Sequence, residues 1–500
     1  MLPLVLISAV ALFTALCYKY IIYPGFISPF SKVPKAHFSV PLTSLWIKWK
    51  RPEGTNAIPT LLEAHRKHGP IVRLSPDELS VASLDGLRQV YTGGFEKSQE
   101  YADEFINYGT PNLVSMVQNR PHSIQKRMIS HVYSKSSIHN SVDLQTLSKI
   151  LLFERMFPAL QSAVQGDKIV DAYGLSQALG VDFVTAFLFG IDNGTDYIRD
   201  IVARRKFMTN YWAKKDGVDT ERTTEELEAY VLSLCHAAET VSEQSPTSRP
   251  VVHAQLSSQL SKSAVPPQQR DLAVASEMMD HISASIDTTT VTMTYIEWEL
   301  SQNLGLQSAL RKELRSLPSP LLHSLNSGKG EQIEQKLPDP KELDALPLLN
   351  AVLKEVLRVY PPSAALLDRV TPPGGAVIEG YDIPGGITVG TSAKIMHLNE
   401  KVFSNAESFK PERWLSDGSE QSVNRIKQMN RWFWSFGSGG RMCIGNHFAI
   451  HMLKTIVAAI YTNYETTIVA DEGIEPEDAF VALPVGRKLV LKLNPVDEGT

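Results

Sequence analysis

Three cysteines occur in 500 residues, at positions 17, 235 and 443, and the last lies in a setting suited to chemistry. Cys443 falls in Phe436-Gly-Ser-Gly-Gly-Arg-Met-Cys-Ile-Gly445, with glycine at 437, 439, 440 and 445 and an arginine two positions before the sulfur. A thiolate is the nucleophilic and metal-binding form of cysteine. Glycines let backbone N–H groups come close enough to hydrogen-bond to it. The cysteines are far apart and form no Cys-x-x-Cys, which argues against a disulfide framework or a cysteine-rich zinc site. A phosphate-cradling loop is also disfavoured: no Gly-Lys-Ser/Thr follows, and Met442 stands where the third glycine of a dinucleotide fingerprint would fall. For the loop alone, a structural cysteine and a nucleophilic cysteine near His447 remain rival readings.

If the ligated metal is the iron of haem, the sulfur pushes electron density toward it and favours cleavage of a bound O–O bond. Such chemistry also needs protons. The stretch His281-Ile-Ser-Ala-Ser-Ile-Asp-Thr-Thr-Thr290 offers an acid, Asp287, beside an alcohol, Thr288, a pair that can organise a relay. A Ser/Thr-rich helix face without catalytic use is the plain alternative. A third pair, Glu355 and Arg358, is spaced to share one helix face. Alone it is weak, since most such pairs are surface ion pairs. Leu349, Val352, Val356 and Leu357 make the surrounding helix look buried.

The elements that must position these residues are mainly helical. Residues 271–300 form the longest uninterrupted helical pattern. Residues 143–168, 176–190 and 221–244 show apolar spacing of helical period. The Glu355 helix stops at Pro361-Pro362. A helix beginning after Gly445 presents Ile450, Leu453, Ile456, Val457 and Ile460 on one face, and its N-terminus would favour negative charge on the neighbouring sulfur. Turn residues punctuate short strands near 68–83, at 368–395, and in a closing pair around Pro484-Val-Gly486. The expectation is a mainly α fold with small peripheral β-sheets. The Pro/Gly/Ser-rich stretch from 316 to 340 reads as an exposed connection.

Hydrophobic residues make up 43% of the chain, enough for a large core, and the formal net charge of −5 gives no basic footprint for a nucleic-acid partner. Leu2 to Cys17 is almost wholly apolar, and the run resumes after Lys19 until Pro24. About 20 helical residues cross a bilayer. Tyrosines at 18, 20 and 23 suit the interface, and Lys32, Lys35, Lys48, Lys50 and Arg51 follow the run, which places the bulk of the chain in the cytosol. A cleaved signal would want a basic start and a small-residue exit, both missing. The division expected is an anchor over 1–24, a proline-rich linker over 25–56 lying against the membrane surface, and a catalytic domain over 57–500.

The loop around Cys443 closely resembles the haem-binding signature of the cytochrome P450 family: Phe436, Gly439, Arg441, Cys443 and Gly445 all match. Ala284, Asp287, Thr288 and Thr289 resemble the family's distal motif, with Ser285 in place of its glycine. Phe409-Lys-Pro-Glu-Arg-Trp414 supplies Arg413 to a triad with Glu355 and Arg358. His122 and Lys126 resemble a Trp/His-x-x-x-Arg pattern, with lysine replacing arginine. Arg369 stands where the family has Pro-Arg, Asp368 replacing the proline, and His397 where it often places a histidine near the cofactor edge. The order of these segments is also the family's.

The resemblance implies the P450 fold with an N-terminal transmembrane helix. It implies haem b on Cys443, with Arg441, Arg369, His122 and Lys126 near its carboxylates and the triad serving folding. Asp287 and Thr288 would be the relay. The implied activity is insertion of one atom of O2 into a lipophilic small molecule, with electrons from NADPH–cytochrome P450 reductase and cytochrome b5 as an accessory donor. The pocket would be lined from Asn107–Met116, from 205–240, from the helix before Thr288, and from Ser363–Leu367; Arg425, Lys427 and Arg431 could meet the reductase. The wording of the motifs is similar to fungal microsomal members acting on terpenoids, polyketides or alkaloids, in the endoplasmic reticulum membrane with the catalytic domain in the cytosol. The competing readings are a haem-thiolate isomerase or dehydratase, which would not use Asp287-Thr288, and a non-catalytic haem-binding module.

Overall fold

The structure is a computed structural model that describes residues 2–52, 55–240, 248–323 and 335–496. Helices dominate. In chain order, those that bear on the site are α1 (Leu2–Cys17), α2 (Leu45–Lys50), α3 (Asn119–Ile129), α4 (Ala172–Phe189), α5 (Ile201–Lys215), α6 (Thr220–Glu239), α7 (Pro267–Ser301), α8 (Pro347–Val359), α9 (Glu420–Trp432) and α10 (Asn446–Asn463). The strands are β1 (Ile71–Arg73), β2 (Glu78–Val81), β3 (Ile169–Asp171), β4 (Arg369–Val370), β5 (Ala376–Ile378), β6 (Tyr381–Ile383), β7 (Thr388–Gly390), β8 (Tyr464–Ala470) and β9 (Val490–Pro495).

The core is built where the longest helices cross. The 35-residue α7 packs along α4, which is buried over its whole length. Helix α4 is apolar enough to cross a membrane by composition, but its burial marks it as a core helix. Helices α8 and α10 close the other side, with Ile296, Val352, Leu353, Leu453 and Val457 among the residues that meet there. Burying these side chains is the main driving force for the fold, at about 25 cal/mol per Å² of apolar surface.

The sheets are peripheral. One has the order β1-β2-β7-β4, another β3-β9-β8, and β5-β6 is a hairpin. The β1-β2 hairpin falls where the turn residues near 68–83 predict it. The end of the chain differs from the expectation of a local strand pair around Pro484-Val-Gly486. Strand β9 pairs instead with β8 and with β3, more than 300 positions away. Gly486 donates its N–H to Gly473 O at 2.7 Å, so that turn is held by another loop.

The N-terminal helix also differs from expectation. It does not end at Pro24 but continues as a π-helix through Tyr18–Ile27, with Ser28 N–H donating to Tyr23 O. A proline cannot donate and clashes with the carbonyl four residues back. The wider π turn relieves that clash and moves the bonding to residues five apart. Residues 25–56, expected as a linker, are docked on the body where described. Phe30 and Val33 are buried beside Ile71 and Leu79, and Ile47 beside Leu61 and Val72.

Candidate functional site

The loop joining α9 to α10 is held from three directions. Gly439 has a φ of +68°, and a Cβ there would lie 2.4 Å from Tyr91 O, so both conformation and space demand glycine. Cys443 N–H donates to Phe436 O at 2.9 Å, closing the turn, while the half-buried Phe436 ring packs against the main core. Lys126 reaches across from α3 and donates to Gly440 O at 3.0 Å and Met442 O at 2.6 Å. Its ammonium is thus committed to the loop itself, which is why lysine serves where the family pattern has arginine.

The surface of Cys443 is accessible, yet enough protein surrounds it for burial to push its thiol up. The Gly445 N–H, the Lys126 charge and the Asn446 N–H act the other way, and Asp280 adds to the upward push. The sulfur therefore sits where protein groups favour its anion but do not by themselves release the proton. A metal would supply the remaining charge.

Above the loop is a group of mutually repelling cations. Arg441 donates to Met116 O, Val117 O and Asn119 Oδ1 at 2.5, 2.7 and 3.2 Å. Arg369 donates to Asp368 O at 2.7 Å and lies 5.0 Å from the Tyr91 ring centroid. Lys97 donates to Val114 O; burial first, then the charges of Arg369 and Arg441, pull it down to about 7. His122 is held down to about 3 by burial and by Arg441, Lys126, Lys97 and Arg369, so it is a neutral hydrogen-bonding group. Glu96 and Asp280 offset this field only in part. Partly buried cations clustered in this way suit an anionic ligand bearing carboxylates. Among the described residues, no group of three or more His, Cys, Asp or Glu side chains is arranged to hold a metal. A single thiolate beside a cationic cluster fits haem, whose macrocycle brings its own nitrogen ligands and two carboxylates.

The long helix α7 carries an accessible stripe. Ala284 is exposed although Ile282, Ser285 and Ile286 around it are buried. Asp280, one turn earlier on that face, is felt electrostatically at Cys443, and burial with the Glu277 carboxylate pushes it well up. Thr288, one turn after Ala284, donates Oγ1 to Ala284 O at 2.9 Å. Asp287 faces away from this stripe toward α5: Lys215 Nζ lies 2.6 Å from Oδ2, and Tyr211 OH donates to Oδ1 at 2.9 Å. Ser285, standing where the family has glycine, points away from the stripe and donates to Gly180 O at 3.0 Å. Behind the stripe, His281 Nδ1 meets Tyr133 OH at 2.9 Å, and Gln125 and the Leu113 N–H both donate to Glu277.

Beneath the loop, Glu355 and Arg358 are fully buried. Arg358 donates Nε and Nη2 to the two carboxylate oxygens at 2.9 and 2.8 Å, and Arg413 Nε adds a bond at 2.8 Å. Trp414 Nε1 and the Lys410 N–H complete the set of donors to Glu355. Arg358 also binds the carbonyls of His397, Ala406 and Ser408. His397 is fully buried, with both ring nitrogens engaged by the chain. Its Nε2 accepts from Trp434 N–H at 2.8 Å and its Nδ1 pairs with Arg358 O at 3.1 Å, so it ties the triad to the chain entering the loop. Of the other expected residues, Ala364, Ala365 and Leu366 are buried, while Arg425, Lys427 and Arg431 are exposed along α9.

Sequence reasoning did not single out Lys97, nor, within the 205–240 stretch expected to line the pocket, Tyr211 and Lys215; none has a distinguishing spacing. Asp280 had a usable signal, since 280, 284 and 288 recur every four residues on one helix.

Comparison with known proteins agrees with this geometry. A cytochrome P450 monooxygenase of Aspergillus versicolor, avaI, is 28% identical over 405 residues, covering 78% of this chain and 94% of its own. The monooxygenase FGM1 of Gibberella zeae is 24% identical over 461 residues, 87% of each chain. Conidiogenone synthase PchP450 of Penicillium rubens is 23% identical over 468 residues, 89% of each. The family model described as cytochrome P450 matches residues 199–491, a span that runs from α5 past the thiolate loop, and the chain belongs to that family of monooxygenases.

Proposed function

We propose that this monooxygenase acts on a lipophilic secondary metabolite with a terpenoid, polyketide or alkaloid scaffold, from the membrane of the endoplasmic reticulum with residues 57–500 facing the cytosol. The observation that carries the reading is the thiol of Cys443, accessible yet surrounded by protein, with the Gly445 and Asn446 N–H groups and the Lys126 charge favouring its anion. Cys443 would hold the iron of haem b through its sulfur, and Arg441 and Arg369, with Lys97 and the neutral His122, would receive the carboxylates of that group. Phe436, Gly439 and Gly445 shape the loop, and Lys126 clamps it.

Bound haem supplies oxygen activation: one atom of O2 enters a C–H or C=C bond and the other leaves as water, consuming two electrons and two protons. Thr288 holds a proton at Oγ1 on the accessible stripe. Asp287 stands behind it as the acid that replaces the proton, its carboxylate oriented by Tyr211 and Lys215. The apolar wall from Ala364 to Leu367 excludes water and favours lipophilic ligands. Electrons come from NADPH–cytochrome P450 reductase, with cytochrome b5 as accessory donor. Arg425, Lys427 and Arg431, next to the loop, offer an acidic partner a basic face.

The decisive experiment compares the reduced carbon-monoxide spectra of wild type and Cys443→Ala. The thiolate-type band is expected only in wild type, and its persistence in the variant would overturn the assignment. The substrate class is tested by supplying a reductase and profiling products from lipophilic fungal extracts. Oxidation confined to hydrophilic acids or sugars would exclude it.

A further inference from the structure

The polar side chains that flank Asp280 on α7 are bonded to the protein. Ser276 Oγ donates to Thr110 O at 2.7 Å. Glu277 accepts from the Leu113 N–H and from Gln125 at 3.2 and 3.3 Å, and its other oxygen lies 3.2 Å from His281 Nε2. Ser285 bonds to Gly180 O, Thr288 to Ala284 O, and Asp287 to Tyr211 and Lys215. Asp280 differs. Among the described residues no hydrogen bond or ion pair reaches its carboxylate, although the residue is only 8% exposed. It begins the stripe that Ala284 and Thr288 continue, and its charge is felt both at Cys443 and at Tyr211 of α5.

No protein cation is free to neutralise it. The cations that act on it, His281 and Lys97, do so from a distance. His281 is engaged by Tyr133 and lies against Glu277. Lys97 donates to Val114 O and sits 4.5 Å from the Tyr101 ring centroid. The carboxylates of haem would claim Lys97, Arg369 and Arg441 further. Burial, with the Glu277 carboxylate one turn away, pushes Asp280 up to about 7. A buried carboxyl in a negative field holds either a proton or a cation, and here the cation must come from a ligand.

A role in the proton relay does not suit this position. Two turns of α7, about 12 Å, separate residue 280 from Thr288, and the methyl group of Ala284 between them carries no proton. A neutral donor would satisfy one oxygen of Asp280 but leave its repulsion with Glu277 unchanged. A positive group relieves both, so the site discriminates by charge.

We propose that Asp280 is a specificity-determining residue of this monooxygenase: its unpartnered carboxylate takes the protonated nitrogen of a basic, lipophilic substrate, which selects an alkaloid-type scaffold over a neutral terpenoid or polyketide. This rests on reading the α7 stripe as the substrate side of haem held at Cys443. The rest of the substrate would lie along the stripe toward Thr288, against the apolar wall at Ala364–Leu367.

The test uses the full-length, haem-loaded protein in lipid nanodiscs, with two probes of like shape: octylguanidinium, a cation that does not ligate iron, and octylurea, its neutral counterpart with similar N–H donors. Equilibrium dialysis, with uptake by empty discs subtracted, gives the affinity of each. Wild type is expected to hold the cation about 10- to 100-fold more tightly than the urea, as a charged hydrogen bond provides. Asp280→Asn should remove that preference and leave octylurea binding unchanged, while Asp280→Glu should keep most of it. A preference that survives in Asp280→Asn would overturn the proposal. So would equal weakening of both probes, which would mean that the residue shapes the pocket without reading charge. Failure of wild type to bind either probe, in protein that shows the thiolate-type carbon-monoxide band, would instead overturn the reading of a lipophilic substrate, and the proposal with it.

Discussion

Asp287 and Thr288 are adjacent in sequence and look in different directions. One helical step of about 100° turns Thr288 to the accessible stripe and Asp287 to Lys215 and Tyr211. The acid is thus held by α5 while the alcohol lies on the accessible stripe. Replacing Asp287 with Asn removes the proposed proton donor but keeps the shape and the bond to Tyr211. Product formation per electron supplied is expected to fall about 100-fold, in the range general acid–base groups contribute. Product and NADPH consumption, measured together, check this: a drop in both with no change in their ratio would mean Asp287 is not in the relay. Lys126→Met should act differently. It removes two bonds to the loop and the cation nearest the sulfur, so haem should dissociate at least several-fold faster, read from transfer to apomyoglobin, with little change in the fold.

At the scale of elements, the triad links α8, the 404–414 segment and, through His397, the entry to the thiolate loop. Glu355 is the one acid among two arginines there and has no exposed surface. Glu355→Gln leaves that positive charge buried and uncompensated, at a cost of about 3–5 kcal/mol. Denaturant unfolding of the haem-loaded protein should show it, together with faster haem loss. A second element-level prediction concerns Gly439→Ala. The added methyl meets Tyr91 O at 2.4 Å in a left-handed backbone region, so the loop must move away from the segment around Tyr91. Haem incorporation is expected to drop severalfold while far-ultraviolet circular dichroism stays the same.

For the whole molecule, buried neutral histidines make acid the weak point. Burial lowers His397 to about 3 and His65, His253 and His451 to about 4. Their folded values lie below the unfolded value near 6.5, so the unfolded chain takes up protons that the folded chain refuses. Their contribution is present above pH 6.5 and is lost as pH falls toward 4. Three carboxyls run the other way: Glu297, raised to about 8, and Asp280 and Asp368, each raised to about 7, carry protons when folded and soften the decline. For His397 the loss reaches roughly 2 kcal/mol by pH 5. Stability measured against pH should slope downward below 6.5, and His397→Asn should flatten that slope by about 1.4 kcal/mol per pH unit. An unchanged slope would show that the histidine does not stay neutral.

What the chain declares on its own is contiguous or periodic chemistry. The Cys443 loop, the Asp287-Thr288 pair, the Glu355–Arg358 spacing and the apolar start are local patterns, legible because a metal ligand, a proton relay, an ion pair or a membrane span would each need fixed residues at fixed distances along one element. Periodicity likewise reveals α7 and α8, whose buried faces repeat every three or four residues. Tertiary structure alone decides what comes from afar. It brings Lys97 and Arg369 to Arg441, sets Lys215 and Tyr211 on Asp287, commits Lys126 to the loop carbonyls, and turns His397 inward. It also carries the helix past Pro24, seats residues 25–52 on the body, and gives β9 to β3 and β8. None of these follows from neighbours in sequence, because hydrogen bonds and burial are satisfied by whatever the fold brings within about 3–4 Å, however many residues lie between.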